Sequence, residues 1–250
     1  MRLLPWDQLP EDMRVEEVRP YYEALASKRK ALFAKRAFDV AGSLALIVLL
    51  SWLILGVAVA VKVDSPGPVF YRQVRVTQYG RKFRIFKFRS MVANADKIGA
   101  AVTTSGDSRV TRVGAVIRKY RLDEIGQLFN VLVGDMSFVG TRPEVPRYVE
   151  VYTPEMRATL LLPAGVTSLT SIMYKDEGRL LDASDDPDRT YIEEVLPGKM
   201  KYNLRGILEF SPIGDLKLMF QTVAAVAGVA SKNELAKPSA EHAVVSTEGR

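Results

Sequence analysis

The chain contains no cysteine and a single histidine, His242. A disulfide framework, a thiolate zinc site and a cysteine nucleophile are therefore excluded. One histidine in a polar C-terminal stretch reads as a solvated residue. It builds neither a catalytic triad nor a histidine-rich metal site. Acid–base or nucleophilic chemistry falls instead to carboxylate, Lys, Tyr, Ser or Thr. A metal would sit among oxygen ligands, which favours Mg²⁺. Internal repeats are missing too. Between Val40 and Val61 there is neither a charged residue nor a proline.

That uncharged run dominates the chain's organisation. At about 1.5 Å per helical residue, roughly 20 apolar residues cross a bilayer core. A buried helix of a soluble protein is the alternative, but it would need covering on every side by a rather small domain. Both flanks are basic: Lys28, Arg29, Lys30, Lys35 and Arg36 precede the run, and Lys62, Arg72, Arg75, Arg81, Lys82, Arg84, Lys87 and Arg89 follow it. The positive-inside bias draws both flanks to the cytoplasmic side. A simple span frustrates one flank, whereas a re-entrant helix satisfies both. Ser51 and Gly56 are the weak points where such a helix would break, with Ser51 the expected break.

The 250 residues suffice for one sizeable domain plus attachments. The net charge of +6 points to a phosphate-bearing partner, whether substrate, membrane surface or nucleic acid. The expected division is a polar segment over 1–38, a membrane helix over 39–62, a catalytic domain over 63–230 and a disordered polar tail over 231–250. Residues 21–38 read as a helix on the membrane surface, with Tyr21, Tyr22, Leu25, Leu32 and Phe33 on its apolar side. Short strands are expected at Val69–Tyr71 and Phe83–Phe88, with a hairpin turn at Gly80. Helices are expected over 111–120, 122–134, 148–162, 204–208 and 216–229, the last a candidate for the membrane surface. Residues 175–200 are acidic, with 185–188 a surface loop. The fold class is α+β, mostly helical.

Asp123 and Glu124 fall at the start of the 122–134 helix. Acidic residues in a first turn often only complement the helix dipole. Here Arg118, Lys119 and Arg121 lie just upstream, and Asp135 and Arg142 downstream. Carboxylates, cations and a helix start together suit Mg²⁺ and a diphosphate. Adjacent carboxylates diverge, so they cannot flank a sugar bond as a glycosidase requires.

The segment from Gly106 to Pro143, GDSRVTRVGAVIRKYRLDEIGQLFNVLVGDMSFVGTRP, resembles the core signature of the bacterial sugar transferases, the monotopic phosphoglycosyl transferases. Lys35-Arg36-Ala37-Phe38-Asp39, Ser65-Pro66-Gly67-Pro68-Val69-Phe70 and Lys87-Phe88-Arg89-Ser90-Met91 resemble the same family in order. The resemblance covers roughly residues 35–225. It implies transfer of a sugar phosphate from a UDP-sugar to a polyprenol phosphate, usually undecaprenyl phosphate, with release of UMP. It implies that Asp123 is a nucleophile forming a covalent phosphosugar intermediate, and that Glu124 helps to hold Mg²⁺ or to position the aspartate. Arg118 and Arg142 match positions that contact substrate phosphates, although a structural ion pair of Arg142 with Asp135 is an alternative. Lys87 and Arg89 match a basic position near the site, where contact with lipid headgroups is an equal reading. Lys175 stands about where many members have arginine. The implied location is the cytoplasmic face of the bacterial inner membrane, in contact with membrane lipids and without a nucleic-acid partner. Homo-oligomerisation is left open.

The chain departs from the family at several points. Ser51-Trp52 replaces the Ser-Pro of the apolar run, Gly126 replaces the usual proline after the Asp-Glu pair, and Thr141 stands where many members have proline. Pro163-Ala164-Gly165-Val166-Thr167 is an altered Arg-Pro-Gly-Ile-Thr. These changes, with the acidic stretch and the segment Ile192–Pro197, fall where sugar recognition could lie. A reading from another class is a membrane-anchored scaffold that binds anionic lipid or nucleic acid through Arg81, Lys82 and Arg84. It would need neither Asp123 nor Glu124.

Overall fold

A computed structural model describes residues 1–95, 107–174, 184 and 186–226. Lys175, Asp185, His242, the 231–250 tail, most of the acidic stretch before 186 and the last residues of the 216–229 helix lie outside the described residues.

The apolar run folds as two helices. A short helix α1 (Arg19–Ala26) leads into α2 (Arg29–Leu49), and α3 (Ser51–Asp64) follows after a bend of 64° at Leu50. No single described helix is long and apolar enough to cross a membrane, but the bent pair passes that test by length and composition. The break lies at Leu50, one residue before the expected Ser51, which instead opens α3. It forms without proline and without a side-chain cap, Leu50 leaving helical geometry at φ −94° and ψ 7°. α3 buries Val57 and Val61 against Phe88 and Ile117, with Leu53, Ile54 and Ala58 alongside. Its other side is equally apolar and faces outward, with Trp52 72% and Val63 82% exposed. An apolar helix covered on one side only has the surface expected of a segment that meets lipid.

The 21–38 expectation needs correcting. Ser27 and Lys28 interrupt the helix, and Tyr22, Leu25 and Leu32 are buried within the protein. Of the five named side chains, Phe33 is left fully outward. An amphipathic face suits a protein core as well as it suits lipid. Here the core wins: Leu3, Leu9, Met13, Val18, Tyr22, Leu25 and Leu32 join one cluster with Tyr152, Leu161, Leu196, Met200 and Leu204. The chain before the bent pair and the chain long after it thus share one hydrophobic core.

After α3 the chain makes two small antiparallel ladders. β1 (Phe70–Tyr71) pairs with a later strand, while β2 (Val74–Val76) and β3 (Lys82–Arg84) form a hairpin. Its turn uses Tyr79 and Gly80 at positive φ, 58° and 73°. The partner of β1 is β4 (Lys87–Phe88), with Phe70 opposite Phe88. Next come α4 (Arg112–Lys119), capped by the Thr111 hydroxyl, and α5 (Gln127–Val133), ended by left-handed Gly134.

β5 (Met136–Val139) follows α5, and the helix expected over 148–162 is replaced by the one-turn α6 (Pro146–Val149) and a 3₁₀ stretch, Glu155–Leu161. Pro154 stands between them and interrupts an α-helix there. β6 (Ala164–Thr167) pairs parallel with β5, a pairing unforeseen in the sequence. α7 (Leu169–Met173), α8 (Pro187–Thr190), a π-helical turn (Tyr191–Val195), α9 (Leu196–Leu208) and α10 (Pro212–Val226) complete the described chain. α10 packs Leu218 and Met219 on the β5 cluster and turns Ile213, Phe220 and Val223 outward.

The motif at the end of α2 ties these layers together. Arg36 donates to the carbonyls of Val131 and Leu132 at the end of α5. Asp39 accepts from Ser137 Oγ and the Phe138 amide of β5. Lys35 donates to Val139 O and to Asp215 of α10, at 2.8 and 2.5 Å.

Candidate active site

Asp123 and Glu124 lie on a 3₁₀ turn, Leu122–Glu124, rather than in the first turn of α5. The chain reaches that turn through Arg121 at φ 57°, a left-handed conformation costly for a residue with a Cβ. The turn packs against β4, which brings Lys87 to the pair. Lys87 Nζ is 2.9 Å from Asp123 Oδ2 and 3.4 Å from Glu124 Oε1. Arg142, on the loop after β5, donates to Glu124 Oε1 at 3.0 Å. The proposed partner of Arg142, Asp135, is instead held by Arg81 at 2.8 Å.

Asp123 is only 3% exposed, and its Oδ1 is buried with no hydrogen-bond partner among the described residues. A buried carboxylate oxygen without a donor is costly and calls for a ligand or a chemical role. Glu124 is in a different state. Burial pushes its pKa up, but Arg142, Lys87 and Arg121 outweigh burial and hold it at about 2. Glu124 is therefore a fixed anion that orders cations, while Asp123 presents a free oxygen.

A cleft of about 660 Å³ opens over this turn. Among the described residues seven cations line it: Arg72, Arg75, Lys87, Arg89, Arg109, Arg118 and Arg142. Such a wall is built for a multiply charged anion. Arg118, Arg142, Lys87 and Glu124 thus come together at the cleft, whereas the buried Asp123 is not among the residues that line it. Arg89 also borders the cleft, but its guanidinium turns to the end of α3, where Nη2 donates to Ser65 O at 2.6 Å and to Val61 O at 3.3 Å. Gly67 sits against it at φ +127°, where an added Cβ would lie 2.2 Å from Arg89 Nη1. Arg89 therefore ties the apolar helix to the strand that carries Lys87.

Sequence reasoning missed Arg72, Arg75 and Arg109 as cleft residues. The first two were counted only as flanking charge. It also missed Asn130, wholly buried, which accepts from the Phe86 amide at 2.7 Å and donates to Arg84 O at 3.1 Å. Asn130 thereby locks the segment before Lys87 onto α5. Its only sequence signal is a polar residue inside an apolar helical stripe.

No group of three or more acidic or histidine side chains able to hold a metal exists among the described residues. The adjacent carboxylates of Asp123 and Glu124 still fit Mg²⁺, which commonly takes one or two carboxylates and completes its shell with water and substrate phosphate.

The family model for bacterial sugar transferase matches residues 30–228, and the chain belongs to that family. It is 39% identical over 197 residues to the UDP-N-acetylgalactosamine-undecaprenyl-phosphate N-acetylgalactosaminephosphotransferase of Aeromonas hydrophila, covering 78% of this chain and 44% of that protein. It is 34% identical over 218 residues to the UDP-glucose:undecaprenyl-phosphate glucose-1-phosphate transferase of Escherichia coli K12, covering 85% of this chain and 44% of that protein. The match to the exopolysaccharide production protein PSS of Rhizobium leguminosarum bv. phaseoli is 33% identical over 199 residues, 77% of this chain and 94% of that protein. The chain thus spans under half the length of the first two relatives and nearly all of the third.

Proposed function

We propose that this chain is a phosphoglycosyl transferase that moves a sugar 1-phosphate from a UDP-sugar to undecaprenyl phosphate, releases UMP and starts assembly of a polysaccharide or glycoconjugate. The observation that carries this reading is the unpartnered, buried Oδ1 of Asp123, next in the chain to Glu124, which lines a cleft walled by cations. The relatives' names, which specify undecaprenyl-phosphate sugar phosphotransferases, support the same reaction class.

In this reading Asp123 Oδ1 attacks the sugar-bearing phosphorus. A P–O bond forms to the carboxylate, the P–O bond to UMP breaks, and UMP leaves with the electron pair. An oxygen of undecaprenyl phosphate then attacks the same phosphorus and expels Asp123. Lys87 holds Oδ2 and so aims Oδ1. Glu124 keeps Arg142 and Lys87 in place to meet the diphosphate. Arg118 lines the approach and neutralises charge as two anionic substrates enter in turn. Bound Mg²⁺, held by Asp123 and Glu124, would supply further neutralisation of the diphosphate.

The bent pair α2–α3 would enter the membrane as a re-entrant hairpin from the cytoplasmic face of the bacterial inner membrane. Support comes from the shared core: residues before α2 pack with α9, so both flanks belong on one side. The natural absence of cysteine makes labelling clean. Ser27→Cys and Lys201→Cys should react from the same side of sealed vesicles, and opposite accessibility would refute the hairpin.

The deciding experiment measures UMP release with undecaprenyl phosphate, Mg²⁺ and a panel of UDP-sugars, for wild type and Asp123→Asn. Lipid-dependent release by wild type and its loss in the variant are expected. Release that survives Asp123→Asn would remove the nucleophile assignment.

A further inference from the structure

The loop that carries Arg142 is held from two directions. On the strand side, Arg75 Nη1 donates to Pro143 O at 3.1 Å and the Val76 amide donates to Glu144 O at 2.9 Å. The Gly165 amide donates to Thr141 O at 2.8 Å. On the helical side the tie is a buried polar cluster. Tyr191 Oη donates to Glu144 Oε1 at 2.5 Å, and Lys199 Nζ reaches Tyr191 Oη at 2.9 Å and Glu144 Oε1 at 3.4 Å. Glu144, Tyr191 and Lys199 are all buried.

A buried ion pair is a poor way to gain stability, because desolvation offsets most of the attraction. Its usefulness lies in fixed geometry. Tyr191 opens the π-helical turn, and single π-turns inside helices recur at functional sites because they redirect one side chain. The Tyr191 ring also packs on Tyr148 at 4.4 Å between centroids, which fixes its tilt. Glu144 lies two residues after Arg142, and Pro143 between them restricts the backbone. A shift of the Glu144 carboxylate therefore moves the root of the Arg142 side chain.

We infer that Glu144, clamped by Tyr191 and Lys199, is a positioning residue that sets Arg142 over Glu124 and thereby tunes affinity for the nucleotide diphosphate. The choice of ligand rests on the transferase reading, whereas the coupling to Arg142 does not.

The test uses the full chain in nanodiscs, with UDP and Mg²⁺ as the calorimetric probe and donor kinetics alongside. Tyr191→Phe and Lys199→Met should each weaken UDP binding about fivefold to tenfold, the size of one partly lost charge-assisted hydrogen bond. Donor KM should rise by the same factor with kcat nearly unchanged. Glu144→Gln, which keeps an acceptor for Tyr191, should stay close to wild type, while Glu144→Leu should not. Adding Tyr191→Phe to Arg142→Gln should weaken binding no further, since the clamp acts through that arginine. Glu16→Gln, which breaks the exposed pair with Arg19 far from the clamp, should leave UDP affinity unchanged. Unaltered UDP affinity in both clamp variants would overturn the inference. So would full additivity with Arg142→Gln, or a fall in kcat at constant KM. A wild type that binds UDP and shows the coupling, yet releases no UMP from any UDP-sugar, would overturn the transferase reading and leave the clamp standing.

Discussion

Glu124→Gln separates the charge of Glu124 from its shape, because glutamine stands in for the protonated acid. The folded-state pKa is about 2 against an ordinary value of 4.5. A depressed carboxylate contributes stability that is fully present above the unfolded pKa and is lost as pH falls through the folded one. The difference of about 2.5 units corresponds to about 3 kcal/mol at pH 7. By the same linkage most of that contribution remains at pH 4 and less than half of it at pH 3. The assay is chemical denaturation of the detergent-solubilised protein, followed by the fluorescence of Trp6 and Trp52, at several pH values. Wild type should be more stable than Glu124→Gln at neutral pH, and the gap should narrow steadily below pH 4.5. Taking the difference between the two proteins cancels the other carboxylates. A gap independent of pH, or one that widens on acidification, would refute the claim that Arg142, Lys87 and Arg121 hold Glu124 as an anion.

Lys35→Met should cost about 1–3 kcal/mol by removing the partner of the half-buried Asp215, and Lys35→Met with Asp215→Leu should recover most of it in the same denaturation assay. Gly126→Ala should lower stability by about 1–3 kcal/mol, since the added Cβ would lie 2.9 Å from Phe86 O and 3.2 Å from a Phe70 ring carbon. Trp52→Pro should leave the melting temperature within a few degrees, because proline is tolerated in a helix's first turn and Trp52 is the second residue of α3. A large loss would mean that the bend depends on the indole.

The Gly126 prediction bears on what the sequence could convey. A proline at that position would also carry a Cβ against Phe86 O, so the departure from the family pattern is explained by a close backbone approach that no local pattern announces. Asp123, Glu124, Lys87 and Arg142 were legible because they belong to contiguous motifs whose order the fold keeps. A break near Ser51 was expected because basic flanks on both sides of an apolar run favour a re-entrant turn, and the bend falls one residue earlier, at Leu50. The parallel pairing of β5 with β6 was hidden, since each strand is four residues long and its partner is distant in sequence. Tyr22, Leu25 and Leu32 were read as facing lipid because periodicity reports an apolar face and never names what covers it. Arg72, Arg75 and Arg109 were lost among 35 basic residues, where charge density says nothing about direction. The hairpin and β1–β4 pairing supply that direction, turning scattered cations into the wall of one cleft. The motifs of the site were therefore written locally, and the gathering of its cations into one wall is a property of the fold.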